Sequence, residues 1–313
     1  MTMQAHAPLI RLSTTELLYG TDPTPRLVAV ELSGQDHVAI FQRQRDATIR
    51  IDVPFQPWLL AMRAEPWLAL HPRPDVERLA GEHCYRYLVR FSSWPAFTDA
   101  TRAARDAGER FLDPGSPAEQ YLILSGRTLF KGMTFEELRR LQLDIETTGF
   151  DPRNPDHRVI VVAMRVSDGR EAVITLDDSE ADLLERVSEL IRAWDPDVIE
   201  GHNLFNFDLP FLAARAARFG VELRWGRDGS VLRIGTGQQR FKVGALTLPY
   251  TPAHVFGRHI VDTYQQIQRY DTSGRLTSYG LKNAVDALGL TREQREFVPG
   301  ELIRETWQID PDR

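Results

Sequence analysis

Apolar residues follow two different periods in the second half of the chain, which predicts strands and helices in alternation. Short apolar runs bounded by turn formers are typical of strands, and we expect them at 141–146, 158–166, 171–176, 197–203 and 259–262. Between the runs, apolar residues recur at helical spacing, and we expect helices at 179–194, 207–219 and 277–288. Alternating strands and helices indicate an α/β sheet.

The first half has another pattern, in which short strands are separated by turn formers. We expect strands at 27–32, 38–41 and 48–53, and a helix at 95–107 with a proline in its first turn. A smaller β-rich α+β domain over residues 1–134 would therefore precede the α/β domain over 135–313. A segment at 231–248 looks like a β-hairpin inserted into the second domain.

Composition narrows the class of protein. The 313 residues suggest two domains. A net charge of −6 argues against a generally basic surface, but it leaves room for a local binding cleft. The single cysteine, Cys84, excludes an internal disulfide and fits a reducing cytosol. No apolar run is long enough to span a bilayer, and residues 1–6 do not begin a secretion signal. Arg43 and Arg45 are expected to be solvated, with contact to a phosphate backbone as the alternative.

Two carboxylates stand out on the first strand of the second domain. Asp144 and Glu146 are two residues apart within an apolar run, so both side chains project from the same face of the strand. Divalent cations between them would compensate their charge. The alternative is a strand end that carries two solvated acids.

A second acidic position follows the fourth strand. Asp208 falls in the first turn of the predicted helix at 207–219, where free N–H groups and the helix dipole favour an ionised carboxylate. Asp208 is therefore either a site residue or only a partner of the helix dipole. Asn203, in the turn before it, is either a site residue or a turn former.

Together these segments resemble family B DNA polymerases. Asp144-Ile145-Glu146-Thr147 is similar to the first exonuclease motif of that family, and Asn203 through Asp208, as Asn-x-x-x-Phe-Asp, is similar to the second. The flanking segments also fit, and the resemblance covers nearly the whole chain. Its further parts are 129–135, 195–199, 209–212, 257–262 and 278–281, with Tyr19-Gly20 and 55–58 in the first domain.

The resemblance implies a ribonuclease H-like fold, a mixed sheet flanked by helices, with a two-metal 3′→5′ proofreading exonuclease site. Two Mg²⁺ or Mn²⁺ ions suit carboxylate ligands, and the chain has no Cys/His cluster that would favour zinc. By this resemblance Asp144 bridges both ions, while Glu146 and Asp208 each hold one. Asn203 orients the site or touches the DNA, and Thr147 and Phe207 lie beside the terminal nucleotide.

The expected partner is the single-stranded 3′ end of DNA, bound by a monomer, and the resemblance implies palm, fingers and thumb domains in the full-length chain. Asp262 matches a family position near the cleft, but a helix N-cap is equally compatible. Basic residues of the predicted hairpin either help to hold separated strands or are solvated; they are Arg233, Arg240 and Lys242.

One departure from the family concerns its third motif, Tyr-x-x-x-Asp, which supplies a fourth carboxylate. Tyr279 is followed at the fourth position by Asn283, and we interpret this tyrosine as a core anchor on an amphipathic helix. Asp310 and Asp312 lack the tyrosine and are expected to be solvated. Because 301–307 resembles the family sequence that leads up to the motif, we expect the chain to stop just short of it. Metal binding and cleavage by these residues would then be weak or absent.

Two other classes of function stay open at this point. A standalone 3′→5′ exonuclease of the same fold would act on DNA or RNA. A catalytically silent scaffold would bind nucleic acid or a clamp without cleaving anything, although the acidic residues at 144, 146 and 208 argue against it.

Overall fold

The computed structural model of the protein describes residues 12–45, 47–244, 246–290 and 302–309. The expectations stated for residues 1–6, for the start of 301–307 and for Asp310 and Asp312 lie outside these ranges. The chain divides into two compact units, Met1–Met133 and Thr134–Arg313. Within the described ranges, no helix is both long enough and apolar enough to cross a bilayer.

The first unit is built from antiparallel strands and short helices, which confirms the expected β-rich α+β class. One sheet has the order β1-β2-β3 and the other the order β5-β6-β4-β7. The elements in chain order are α1 (Thr14–Tyr19), β1 (Leu27–Ser33), β2 (His37–Arg43), β3 (Thr48–Pro54), β4 (Trp58–Ala61), α2 (Glu65–Leu68), β5 (Asp75–Arg78), β6 (Tyr87–Arg90), α3 (Trp94–Asp106), β7 (Phe111–Leu112) and α4 (Pro117–Ser125).

Local sequence explains where helix α3 begins, whereas the burial of Arg43 corrects an expectation from the sequence. Helix α3 begins after Ser93, whose hydroxyl accepts the Ala96 N–H, and a proline stands in its first turn. Arg43 is only 3% exposed, so the expectation of a solvated arginine is wrong for it. Arg43 is the last residue of β2, the strand that pairs with both β1 and β3. Arg45, just past the strand, is exposed as expected.

The second unit is a mixed α/β domain. Its elements in chain order are β8 (Arg140–Thr147), β9 (Val159–Val166), β10 (Glu171–Thr175), α5 (Glu180–Trp194), β11 (Val198–Gly201), α6 (Asp208–Phe219), β12 (Arg233–Ile234), β13 (Gln239–Val243), β14 (Leu246–Tyr250), β15 (Ala253–His254), β16 (His259–Asp262), α7 (Thr263–Tyr270), α8 (Leu281–Ala287) and α9 (Ile303–Ile309). The predicted strands and helices of this half therefore exist, with shifted ends at a few positions.

The central sheet has the order β10-β9-β8-β11-β16. Strands β10, β9 and β8 pair antiparallel, whereas β8, β11 and β16 pair parallel. Apolar residues of the sheet and of α5 and α6 form one core, which includes Leu141, Leu143, Ile145, Leu184, Ile191, Leu209 and Leu212. Parallel strands direct their carboxyl ends to the same edge, so residues that follow β8, β11 and β16 meet there.

Two elements differ from their predicted bounds for identifiable reasons. The helix expected at 277–288 begins only at Leu281, because Gly280 has an extended backbone at the N-cap. The interpretation of Tyr279 as a residue on that helix is therefore wrong: it lies before the helix, and its hydroxyl donates to Asp271 Oδ2 at 3.5 Å. The hairpin consists of β13 and β14 and begins at Gln239, eight residues later than expected. The segment before it contributes β12, which pairs with β15.

Candidate active site

One face of strand β8 packs into the core, and the other face presents the acids of the candidate site. Leu143 and Ile145 are buried, while the alternate residues Asp144 and Glu146 are accessible to solvent. This alternation follows from the two-residue period of a strand. Directly after Glu146 the pairing with β9 shifts register, so that Thr147 lies opposite Val159. Such irregularities re-aim side chains at the end of a strand.

The turn after β11 brings the second segment against β8. A Cβ atom on Gly201 would lie 2.5 Å from the Leu143 carbonyl oxygen and 2.7 Å from Leu204 Cδ2. Only glycine therefore allows this close approach of the two strands. Two residues later Asn203 has a φ of 74°, a left-handed conformation that asparagine tolerates better than most residues. The chain thus reverses sharply before helix α6.

Asp262 holds this turn in place. Its carboxylate accepts the Asn203 N–H at 2.8 Å and the Phe205 N–H at 3.1 Å. It also accepts the Tyr264 N–H at 2.9 Å, which makes it the N-cap of α7. The side chain is 1% exposed. The N-cap alternative stated above is thus what the structure shows, and the carboxylate is occupied by three backbone amides.

Asp208 is the first residue of α6 and is 3% exposed. Burial, together with the negative charges of Asp144 and Asp262, raises the pKa of this carboxyl from 3.8 to about 7. The backbone amides of Asp208 itself and of Ile145 oppose the rise. Because Ile145 stands between the two acids of β8, Asp208 lies beside the strand that carries them.

The two strand acids share this electrostatic environment. Desolvation by the surrounding protein raises the pKa of Asp144, and the backbone amide of Ile145 and the charge of His202 oppose the rise. Desolvation and the charge of Asp144 raise the pKa of Glu146, with Lys282 acting in the opposite direction. All three acids are therefore harder to ionise than isolated carboxyls. The charge of Asp144 contributes to the raised pKa of both of the others.

Aromatic residues cluster around the start of α6. The Phe207 ring lies 6.2 Å from that of Phe150 and 5.5 Å from that of Phe211, measured between centroids. Thr147 is placed differently, on the buried face of β8, and its hydroxyl donates to the Gly149 carbonyl at 2.8 Å. The structure therefore places Phe207 directly before Asp208, at the N-cap of α6, and engages the Thr147 hydroxyl with the backbone after β8.

The donor set fits hard divalent cations. Asp144, Glu146 and Asp208 all have raised pKa values, and a bound cation would favour their ionised forms. Within the ranges that the structure describes, no three acidic, histidine or cysteine side chains form a ready-made ligand group for one ion. Mg²⁺ does not require such a cage, since it typically keeps several waters and takes one or two protein carboxylates plus substrate phosphate. Asp144, Glu146 and Asp208 could hold such ions.

Sequence patterns did not reveal several residues of this region. His202 Nε2 donates to the Tyr279 carbonyl at 2.9 Å and its Nδ1 lies 3.1 Å from Thr263 Oγ1, so this imidazole ties the turn to α7. Arg215 and Glu180 form a buried ion pair below the site. A signal for Arg215 existed, because it lies on the apolar face of an amphipathic helix, where a charge requires a partner.

Comparisons with known proteins agree with this geometry. The model of the family "DNA polymerase family B, exonuclease domain" matches residues 126–284. The DNA polymerase of Archaeoglobus fulgidus is 37% identical over 174 residues, which are 55% of this chain and 20% of that protein. DNA polymerase 1 of Pyrococcus abyssi is 35% identical over 201 residues, which are 61% of this chain and 24% of that protein. The chain thus spans about a quarter or less of the length of these relatives.

The fold has a solved counterpart as well. The family B DNA polymerase of Pyrobaculum calidifontis superposes with a TM-score of 0.67 at 22% identity, over 93% of this chain and 42% of that one. This likeness confirms the mixed α/β architecture and the expected ribonuclease H-like fold of the second unit. The family model covers just over half of the 313 residues, and the chain therefore belongs to family B DNA polymerases, of which it carries the exonuclease domain.

Proposed function

We propose that the chain is the N-terminal and 3′→5′ proofreading exonuclease portion of a family B DNA-directed DNA polymerase. Residues 1–134 would form the N-terminal domain and residues 135–313 the exonuclease domain. The observation that carries the proposal is the match of residues 126–284 to the exonuclease domain of family B DNA polymerases, a range that contains Asp144, Glu146 and Asp208. The charge of Asp144 raises the pKa of both other acids, which supports a shared site. Acids that repel one another at close range are typical of cation-dependent chemistry.

The roles of the acids are proposed from the exonuclease motifs of the family. Asp144 would be a ligand shared by two divalent cations, and Glu146 and Asp208 would each hold one of them. Bound Mg²⁺ or Mn²⁺ ions would supply an activated water and stabilise charge on the scissile phosphate and on the leaving 3′-oxygen. The protein keeps the acids oriented: strand β8 fixes Asp144 and Glu146, and the first turn of α6 fixes Asp208.

Other residues would position the nucleotide. Phe207 directly precedes Asp208, and its ring would offer a stacking face to a terminal base. Asn203, in its left-handed turn, would orient the site or contact the DNA. Thr147 would contribute chiefly through its position after Glu146, because its hydroxyl is engaged with Gly149.

Proofreading follows from the energetics of the DNA end. A mismatched 3′ terminus separates from its template at a lower free-energy cost than a matched one, so its single-stranded form reaches a recessed site more often. We therefore assign single-stranded or frayed 3′ ends of DNA as the substrate. Polymerase domains of the palm, fingers and thumb type would extend the duplex that this site trims.

The proposal is tested with a single-stranded DNA oligonucleotide labelled at its 5′ end, incubated with the chain and Mn²⁺ or Mg²⁺. We expect stepwise shortening from the 3′ end that EDTA stops and that Asp144→Ala abolishes. Equal or faster digestion of the matching RNA would favour a standalone nuclease. Binding of the oligonucleotide without cleavage, together with no Mn²⁺ binding, would favour a silent scaffold and contradict the proposal.

A further inference from the structure

A buried ion pair lies below the candidate site. Arg215 of α6 donates to both carboxylate oxygens of Glu180, the first residue of α5, at 2.7 Å and 2.5 Å. Their side chains are 1% and 2% exposed. A forked contact of this kind fixes both the distance and the orientation of the two groups. Because both side chains are buried away from solvent, neither charge can exchange its partner for water.

The pair also holds the loop that joins β8 to β9. The remaining guanidinium nitrogen of Arg215 donates to the Pro152 carbonyl at 3.2 Å and to the Asn154 carbonyl at 3.1 Å. Glu180 Oε1 in turn accepts the Val159 N–H at 3.0 Å. Val159 lies opposite Thr147, at the register shift that directly follows Glu146. One charge pair therefore connects α5 and α6 with the middle of the loop and with its end at Val159.

Arg215 lies about two helical turns after Asp208, on the same side of α6. Its loop contacts, Pro152 and Asn154, belong to the segment that joins the strand end at Glu146 to β9. We propose that the Arg215–Glu180 pair is a positioning device, which fixes the offset of Asp208 from Asp144 and Glu146. This inference rests on the proposed function of the three acids as cation ligands. Without the pair, α6 and the strand end can shift relative to each other, and the acids no longer converge.

The same unit contains a matched network at the other end of the sheet. Arg227 donates to Asp195 at 2.8 Å and to Asp197 at 2.8 Å, and Arg258 donates to Asp195 at 2.7 Å. These arginines are 5% and 2% exposed. The network adjoins the amino-terminal ends of β11 and β16, whereas the candidate site follows the carboxyl end of β11. It therefore offers a buried ion network of similar chemistry without a link to the acids.

The test compares two double variants of the full 313-residue chain. Glu180→Gln with Arg215→Met removes both charges but leaves an acceptor for the Val159 N–H. Asp195→Asn with Arg258→Met removes two charges from the control network. Mn²⁺ affinity is measured by electron paramagnetic resonance, and backbone exchange by hydrogen–deuterium mass spectrometry. Melting temperatures show that both variants fold.

We expect the double variant Glu180→Gln with Arg215→Met, the site-end variant, to bind Mn²⁺ at least about tenfold more weakly. This is the usual size of effect for residues that orient ligands. Exchange should rise over 148–158 and at the start of α6. The control variant should lose thermal stability without either change. If the site-end variant does not unfold cooperatively, Arg215→Lys, which keeps the charge but not the fork, should show the same two changes at smaller size.

Unchanged Mn²⁺ affinity and unchanged exchange in the site-end variant would overturn the positioning role. Equal losses of affinity in both double variants would also overturn it, because the effect would then be general destabilisation. Wild-type protein that binds neither Mn²⁺ nor single-stranded DNA would contradict the proposed function instead. In that case the exchange over 148–158 alone decides whether the pair positions the loop and α6.

Discussion

Asp208→Asn should stabilise the metal-free protein, and more so at alkaline than at acidic pH. The folded protein raises the pKa of the Asp208 carboxyl from 3.8 to about 7, so between these values the folded state holds a proton that the unfolded state has released. The free energy of unfolding therefore falls as pH rises through this window. Asparagine is neutral throughout and removes the penalty.

The size of the effect follows from the shift. Each pKa unit corresponds to about 1.4 kcal/mol, so a shift of roughly three units lowers the free energy of unfolding by about 4 kcal/mol above the folded pKa. Near pH 5 the destabilisation is only about 1.5 kcal/mol, because the pH is then only about one unit above the pKa of the carboxyl in the unfolded state. The stabilisation by Asp208→Asn should thus be about 2–3 kcal/mol larger at pH 8 than at pH 5.

Urea unfolding in EDTA, followed by tryptophan fluorescence at both pH values, measures this difference. Asp271→Asn is the control, because backbone amides of Leu276 and Arg275 lower the pKa of Asp271. Its contribution to stability is present above pH 4 and lost only in acid, so that substitution should destabilise by the same amount at pH 5 and pH 8. A pH-independent effect of Asp208→Asn would refute the reasoning. Mn²⁺ should stabilise the wild type, and Asp208→Asn much less.

Three further outcomes are expected. Gly201→Ala would force the turn away from β8 and should lower the free energy of unfolding, measured with urea, by about 1–3 kcal/mol. Gly237→Ala, with open space at its Cβ, should leave it unchanged. Asp262→Asn should cost about 1–3 kcal/mol and slow cleavage, since its amide group presents a donor to one of the amides of the turn; unchanged stability would contradict its anchoring role. Cleavage of single-stranded DNA by the chain should be slow, because the sequence has no Tyr-x-x-x-Asp motif; full-rate, Asp144-dependent digestion would show that three acids suffice.

The acids of the site were within reach of sequence reasoning because local periods place them. A two-residue spacing in a strand puts Asp144 and Glu146 on one face, and a strand-to-helix turn puts Asp208 in a first turn. Their mutual proximity needed more information. It depends on the pairing of β8 with β11, which joins residues almost 60 positions apart, and no local pattern encodes such a pairing.

The misplaced elements show where local rules lose to tertiary contacts. The helix predicted from 277 begins at Leu281, since the preceding segment is held by other partners: Asp271 accepts the Arg275 and Leu276 amides, and His202 binds the Tyr279 carbonyl. Arg43 is buried at the end of β2, which pairs with β1 and β3. Both outcomes depend on groups that are distant in sequence, and residue propensity carries no information about them.

The alternation along β8 also limits how this domain can change over evolutionary time. Leu143 and Ile145 fill the core from the same short strand that presents Asp144 and Glu146. A substitution that repacks the core beneath them shifts the backbone that carries the acids, so adaptation of stability and of chemistry is not independent at these positions. Strand β10, at the far edge of the sheet, carries none of the acids. Substitutions that raise heat resistance should therefore accumulate on β10 rather than on β8.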